Sequence, residues 1–324
     1  MAGNVALTAA GYLDGMEVFV AGATGVIGRP LVRLLIEAGH EVTGMTRSSE
    51  RAGQLQAQGV RPVVCDALDG EALRSALLAS RPDAVIHELT DIPPDLQPRK
   101  YRTQLAATNR LRREGTRNLI AAAQAAGAKR IVAQSIAFAY APSGDWVKSE
   151  DAPLALDAPA PMDEPVQAIA DLERQVLAAQ GIVLRYGFFY GPGTAFAPDG
   201  LYATLVRRRA LPVLGNGEGM WSLIHVEDAA VATVAALERG SPGIYNVVDD
   251  EPARAGEWIP AYAAALGAKR PWRLPAWVGR LAAGGVAVAG MTTQRAASNA
   301  KAKRELGWTP EHSSWREGFT AAAG

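Results

Sequence analysis

Cysteine is all but absent. Cys65 is the single one in 324 residues, so the chain can form no internal disulfide and reads as a protein of a reducing, cytoplasmic compartment. Histidine is scarce as well: four, scattered along the sequence, offer no close ligand spacing, and no metal is expected. Net charge is missing too, since 33 basic side chains balance 33 acidic ones. That balance leaves no electrostatic footprint for nucleic acid or for an anionic membrane surface. Long apolar runs are also lacking. The greasiest stretch, Leu274 to Met291, contains Arg280 and is rich in Gly and Ala, so it reads as a packed helix pair rather than a membrane span. Met1–Gly15 holds no Lys or Arg and no signal-peptide core, and is expected to precede the fold as an extension.

What is present is a globular composition, 48% hydrophobic and 20% charged, in a length for one large or two small domains. Apolar runs at Glu17–Ala21, Glu41–Thr46, Val63–Cys65, Ala84–His87, Arg130–Gln134 and Ile182–Phe188 read as strands. Helical patterns separate them: Leu31, Leu34, Leu35 and Ala38 share one face, and Gly70–Ser80, Thr116–Ala126 and Asp171–Ala179 follow. Strands alternating with helices imply an α/β fold, a doubly wound parallel sheet with right-handed crossovers. After Tyr190 the rhythm loosens, with a helix near Glu227–Leu237 and a strand at Ile244–Val248. The expected division is a dinucleotide-binding domain over 16–190 and a smaller substrate-binding lobe over 191–324, following the first or interleaved with it. The proline-rich segment Ala141–Pro165 is expected to cover the pocket between them.

The strongest motif is the turn after the first strand, Gly22-Ala23-Thr24-Gly25-Val26-Ile27-Gly28. Gly22 permits a sharp turn, Gly25 lets backbone approach a pyrophosphate, and Gly28 lets the helix lie close on the sheet. Free N–H groups of the helix start would meet the phosphates, which makes the sheet Rossmann-type. The end of the second strand, Thr46-Arg47-Ser48-Ser49, has no acid until Glu50. A ribose diol is held by a carboxylate at this place and a 2′-phosphate by a cation. Arg47, with Ser48 beside it, therefore favours NADP, with NAD the alternative.

These residues resemble the atypical and extended short-chain dehydrogenases/reductases, the NAD(P)-dependent epimerase/dehydratase group. Asp66-Ala67, Val85-Ile86-His87-Glu88-Leu89-Thr90, Leu184-Arg185-Tyr186, Tyr190-Gly191-Pro192-Gly193, Ile224-His225-Val226-Glu227-Asp228 and Lys303-Arg304-Glu305-Leu306-Gly307-Trp308 are similar to its landmarks. The resemblance implies that Asp66 and Ala67 meet the adenine and that Leu89, Tyr186 and Phe188 line the cofactor.

The departures bear on chemistry. Members that move hydride use a Ser, a Tyr and a Lys four residues after the Tyr, the pair serving as proton relay. Aligned through Glu173, this chain has Pro165 and Ile169 at the Tyr and Lys positions. Ser135 stands five residues before Tyr140, where the family's Ser stands four before its aromatic. Ser135 and Tyr140 are the remaining catalytic candidates. An arginine that meets substrate phosphates in nucleotide-sugar enzymes is replaced by Trp221, which with Phe189 and Tyr190 points to an apolar or aromatic substrate. The expected activity is an NAD(P)-dependent oxidoreductase acting on a small carbonyl or alcohol compound, as monomer or homodimer. The alternatives are a redox-neutral epimerase, dehydratase or cyclase, and a non-catalytic NADP sensor.

Overall fold

Val18 and Val20 of the first strand face one helical layer while Phe19 and Ala21 face the other, all four buried. Apolar side chains on both faces of one strand are what a parallel sheet covered on both sides requires. The computed structural model describes residues 15–321, so all of the expected N-terminal extension except Gly15 lies outside the described residues. Its main sheet contains β1 (Glu17–Ala21), β2 (Glu41–Thr46), β3 (Arg61–Val64), β4 (Ala84–His87), β5 (Arg130–Ile136), β6 (Ile182–Tyr186) and β7 (Gly243–Val247). They lie in the order β7-β6-β5-β4-β1-β2-β3, every pair parallel. The order reverses between β1 and β4, the switch point where ligands of open α/β sheets bind beyond the carboxyl ends of the strands.

Helices α1 (Gly28–Glu37), α2 (Ser49–Ala57), α3 (Gly70–Ser80), α4 (Thr116–Ala126) and α5 (Asp163–Ala178) make the crossovers. Leu31, Val32 and Leu35 form the buried stripe of α1, and it packs against α6 (Val226–Arg239), an Ala-rich helix that permits close approach. α5 begins at Asp163, eight residues earlier than the periodicity from Asp171 indicates. Asp163, Glu164 and Pro165 occupy its first turn, where acids favour the helix dipole and proline costs little.

The strand near Ile244 joins the main sheet rather than the smaller lobe. It is β7, hydrogen-bonded to β6 at the edge. The chain thus leaves the sheet after β6, begins the second lobe, returns through α6 and β7, and then builds most of that lobe from the segments after β7. That lobe has its own core, in which Phe196, Trp221, Trp258, Tyr262, Trp315 and Phe319 are all buried. A short ladder of Phe188–Tyr190 with Leu223–His225 sets it over the end of β6. The stretch after Leu274 forms two helices, α7 (Ala276–Ala283) and α8 (Gly285–Thr292). The proline-rich segment is tied down, with Val147–Lys148 pairing Ala296–Ala297 and Tyr140 bridging Leu154.

Candidate active site

Gly22 takes a φ of +98°, and a Cβ there would stand 2.6 Å from the carbonyl oxygen of Glu88. A Cβ on Gly28 would stand 2.2 Å from the Gly22 oxygen. Neither position can carry a side chain. The Gly25 N–H donates to Gly22 O at 2.9 Å and closes the turn. No side chain caps the N-terminus of α1, and Gly25 and Val26 are exposed there, with Thr24 half-buried and Ile27 turned into the core. Unclaimed N–H groups at the head of a helix suit a diphosphate, so the residues present fit an adenine dinucleotide.

Around this cradle the other expected cofactor residues are grouped at the same sheet edge. Arg47 is exposed, its guanidinium 3.5 Å from Asp91. The Ser48 hydroxyl accepts from Arg51 N–H at 3.3 Å and caps α2, leaving its own proton to donate. Asp66 is half-buried and accepts from Leu68 N–H at 2.9 Å, while Ala67 O accepts from Asn118 at 3.0 Å. Leu89 is half-buried at the end of β4.

Tyr186 corrects the sequence reading. It is fully buried under α6, where its hydroxyl donates to Glu88 at 3.1 Å and shares a proton with Thr233 at 2.7 Å, so it faces the core instead of a cofactor. Glu88 belongs with it. Burial raises this carboxyl to about 8, and its Oε2 has no partner. The neutral acid is the form this apolar site tolerates. His87 beside it is lowered to about 4 by burial and the Arg112 charge, and its Nε2 meets the Thr116 hydroxyl at 2.9 Å.

The raised Glu88 carboxyl predicts a pH dependence. Between the unfolded value of 4.5 and about 8, the folded chain holds a proton that the unfolded chain releases, so stability falls as pH rises through that window. Glu88→Gln keeps the shape and removes the titration. Urea unfolding at pH 5 and pH 8.5 should show wild type losing a few kcal/mol more than the variant, because each tenfold change in proton affinity is worth about 1.4 kcal/mol. Parallel losses in both proteins would mean Glu88 is ionised in the fold.

Ser135 and Tyr140, the expected catalytic pair, belong to a buried structural lattice. Arg185 of β6 and Glu173 of α5 form a two-pronged ion pair, Nε to Oε1 at 2.8 Å and Nη2 to Oε2 at 2.6 Å, with side chains 4% and 6% exposed. Ser135 Oγ donates to Glu173 Oε1 at 2.7 Å. Arg185 Nη1 donates to the Tyr140 hydroxyl at 2.9 Å, which donates to Asn246 Oδ1 at 2.7 Å. A buried charge pair needs its remaining lone pairs and protons satisfied, and these hydroxyls do that. Burial lifts the Tyr140 hydroxyl above its ordinary value, a further handicap for a proton donor. Pro165 and Ile169 are buried on α5, and the Lys148 ammonium donates to Ser143 O. No Tyr–Lys relay therefore forms on α5.

The aromatic expectation divides by face. Phe188 lies between Phe138, 3.9 Å away between ring centroids, and Trp221, 4.2 Å away, in near-parallel stacks. Phe188 is thus sandwiched between two rings, and Phe138, missed in the sequence, is part of that stack. Phe189 points the other way and packs on Tyr186 and the sheet core. Successive strand residues face opposite sides, so Phe188 and Phe189 cannot share one pocket. Tyr190 is sealed in the second core, 1% exposed. Trp221 is buried as well, 7% exposed, with its Nε1–H held by Gly290 O of α8 at 2.8 Å.

Scattered histidines do meet. His225, Asp228 and His312 bring ligand atoms within 4.8 Å of one another. Their hydrogen bonds account for the meeting: Asp228 accepts from the N–H groups of Glu311 and His312 at 2.8 and 2.9 Å and from His312 Nδ1 at 3.0 Å, pinning the C-terminal segment to α6. Among the described residues no helix is long and apolar enough to cross a membrane.

Comparison with known proteins agrees with this geometry. Residues 18–247 match the NAD dependent epimerase/dehydratase family. A 3-diazoavenalumate denitrifying reductase from Streptomyces sp is 48% identical over 313 residues, 94% of this chain and 99% of that protein. The structure of MoeE5 in complex with UDP-glucuronic acid and NAD is similar at a TM-score of 0.69 and 26% identity, over 93% of this chain and 96% of that one. UDP-glucose 4-epimerase from Thermotoga maritima shares the fold at a TM-score of 0.73 and 21% identity, over 94% of this chain and 97% of that one. With a dinucleotide cradle, a parallel sheet and a full-length reductase relative, the chain belongs to the NAD-dependent epimerase/dehydratase family and is an NAD(P)-dependent oxidoreductase.

Proposed function

We propose that the protein is an NADPH-using reductase that replaces the diazo group of an aromatic compound with hydrogen and releases dinitrogen. One observation carries this: Pro165 and Ile169 stand where hydride-moving relatives keep their proton relay, and both are buried. A ketone taking hydride becomes an alkoxide and needs that proton. An arenediazonium ion does not. Hydride forms the new C–H bond, the C–N bond breaks, and its electron pair departs in dinitrogen, with no proton entering or leaving. The glycine turn would hold the diphosphate of a reduced dinucleotide, whose nicotinamide would supply the hydride when bound. The diazo group in the name of the relative at 48% identity fits a site of this kind. A non-catalytic sensor does not fit a chain so close to a reductase over its whole length.

The chain's own residues supply position. Phe188 is covered on both faces, so half-buried Phe138, at the end of the Phe138–Phe188–Trp221 stack, is the ring against which an aromatic substrate packs, and the stack behind it excludes the water that would hydrolyse a diazonium ion. Arg47 and Ser48 hold the 2′-phosphate, which makes NADPH the preferred donor, and buried, unpaired Cys65 suits a reducing cytoplasm.

The test uses NADPH deuterated at the transferable position with an arenediazonium salt, heat-killed protein serving as blank. One dinitrogen per NADPH, deuterium at the vacated ring carbon and a flat rate from pH 6 to 8 are expected. Ring deuterium that comes from heavy water instead would overturn the reading. Arg47→Glu should weaken NADPH binding about 100-fold, the worth of one or two charge-assisted hydrogen bonds, and favour NADH. Calorimetry showing equal affinities in both proteins would remove Arg47 from cofactor choice.

A further inference from the structure

A net charge of zero hides an uneven distribution. Between Glu257 and Glu305 the chain holds no Asp or Glu, while Lys269, Arg270, Arg273 and Arg280 crowd the middle of that interval. All four are exposed, and among the described residues none of them joins an ion pair. Arg209, just after the helix Leu201–Arg207, adds to this basic ground: it lies over the Trp272 ring at 3.8 Å and donates to Arg270 O at 2.9 Å. Exposed Arg99 borders the far end, donating to Leu281 O.

The middle of this ground is apolar. Leu281 and Trp277 are 71% and 65% exposed, the two most exposed large apolar side chains among the described residues, and Trp272 is 54% exposed. Their placement is fixed. The strand Arg273–Leu274 pairs with Val213–Leu214 and leads into α7. Trp277 and Leu281, four residues apart, share one face of α7, and Gly279 falls on the opposite face. There a Cβ would stand 2.7 Å from the Leu214 side chain, so α7 is pressed onto the lobe on that side and holds Trp277 and Leu281 away from it. A rigid helix face that presents Trp and Leu to solvent inside a border of unpaired cations has the make-up of an interfacial helix.

We infer that this face docks the protein on an anionic bilayer surface, with Trp272, Trp277 and Leu281 entering the headgroup layer and the arginines around them meeting lipid phosphates. An indole suits that layer because its ring is apolar and its N–H stays wet. Each basic side chain adds attraction to an anionic leaflet. The charges also decide between occupants. A second copy meeting this face about a two-fold axis would set the same cations against one another, because such an interface uses one patch twice. A nucleic acid would satisfy the cations and leave Leu281 without an apolar partner. Only an anionic bilayer answers both the border and its centre. Among the described residues no helix is long and apolar enough to cross a membrane, so the contact is with one leaflet.

The experiment mixes the full chain with vesicles of phosphatidylcholine alone, and with vesicles of phosphatidylcholine and phosphatidylglycerol in equal parts, and reads the bound fraction by flotation. Wild type should float with the anionic vesicles only, and added salt should weaken that binding. Arg270→Gln with Arg273→Gln and Arg280→Gln should weaken it on the order of 100-fold, since three cations each contribute several-fold near such a surface. Trp277→Ala with Leu281→Ala should weaken it at least about tenfold, through the apolar area withdrawn from the headgroup layer. Both variants change exposed side chains, so their melting and NADP⁺ affinity should match wild type. No flotation with anionic vesicles, equal flotation with both compositions, or variants that float like wild type would each overturn the inference. Sedimentation equilibrium showing a dimer that the Trp277→Ala, Leu281→Ala variant breaks would assign the face to a second copy and overturn it as well.

Discussion

Arg185→Leu is expected to cost about 3–5 kcal/mol and to lower Tm by on the order of 10 °C. The arginine sits in an otherwise apolar strand, and burial pulls its pKa down, but the hydrogen bonds and charge of Glu173 more than offset that, so it stays charged. Removing it strands a carboxylate that is 6% exposed, and also takes a donor from Tyr140 and from Glu150 O. The cost therefore exceeds that of one lost hydrogen bond. A double change, Arg185→Leu with Glu173→Leu, should recover much of the loss, because well-packed apolar groups replace buried ion pairs nearly neutrally. Thermal and urea melts of the two single variants and the double variant decide this. Single variants that melt within about two degrees of wild type would show that the pair is solvated.

The same lattice separates structure from catalysis at Ser135. Ser135→Ala should lose only about 1 kcal/mol and keep its turnover, since its hydroxyl serves Glu173. A proton-transferring serine would instead cost a factor of about 10²–10⁴ in rate.

Local patterns explain why the sheet was legible. The glycine turn and the limits of Thr116–Ala126 each depend on residues within a few positions of one another and stand where the pattern puts them, while the stripe of α1 keeps Leu31 and Leu35 but takes Val32 in place of Ala38, which caps the helix. The location of β7 was not legible, because nothing in Ile244–Val248 tells which strand it will pair with. The direction of Phe188 against Phe189 was lost at Gly187. There the strand ends, and a Cβ would come within 2.7 Å of Ser222 O, so the chain passes close under the second lobe and the alternation restarts with a phase the sequence does not carry. Arg185 did carry a signal: a charge inside a buried strand demands a partner, and Glu173 on the preceding helix was available.

Gly25→Val should leave the fold intact and abolish nucleotide binding. The three glycines of the turn do different work, and geometry tells them apart. At Gly22 and Gly28 a Cβ would press on backbone at 2.6 and 2.2 Å, so substitution there strains the native chain and confounds binding with folding. At Gly25 the nearest atom to a Cβ is Gly22 O at 3.2 Å, its φ lies outside the left-handed region, and the position is exposed. A side chain there meets little protein; it fills the space over the uncapped N-terminus of α1, where a diphosphate must come. Two charge-assisted hydrogen bonds lost at about 1.5–3 kcal/mol each correspond to a roughly 100-fold or greater fall in NADPH affinity. Gly25→Ala should fall between. Calorimetric titration beside a thermal melt reads both quantities in one preparation. A Gly25→Val protein that melts like wild type and still binds NADPH at wild-type affinity would place the phosphates elsewhere, and with them the hydride that every step of the proposed reaction requires.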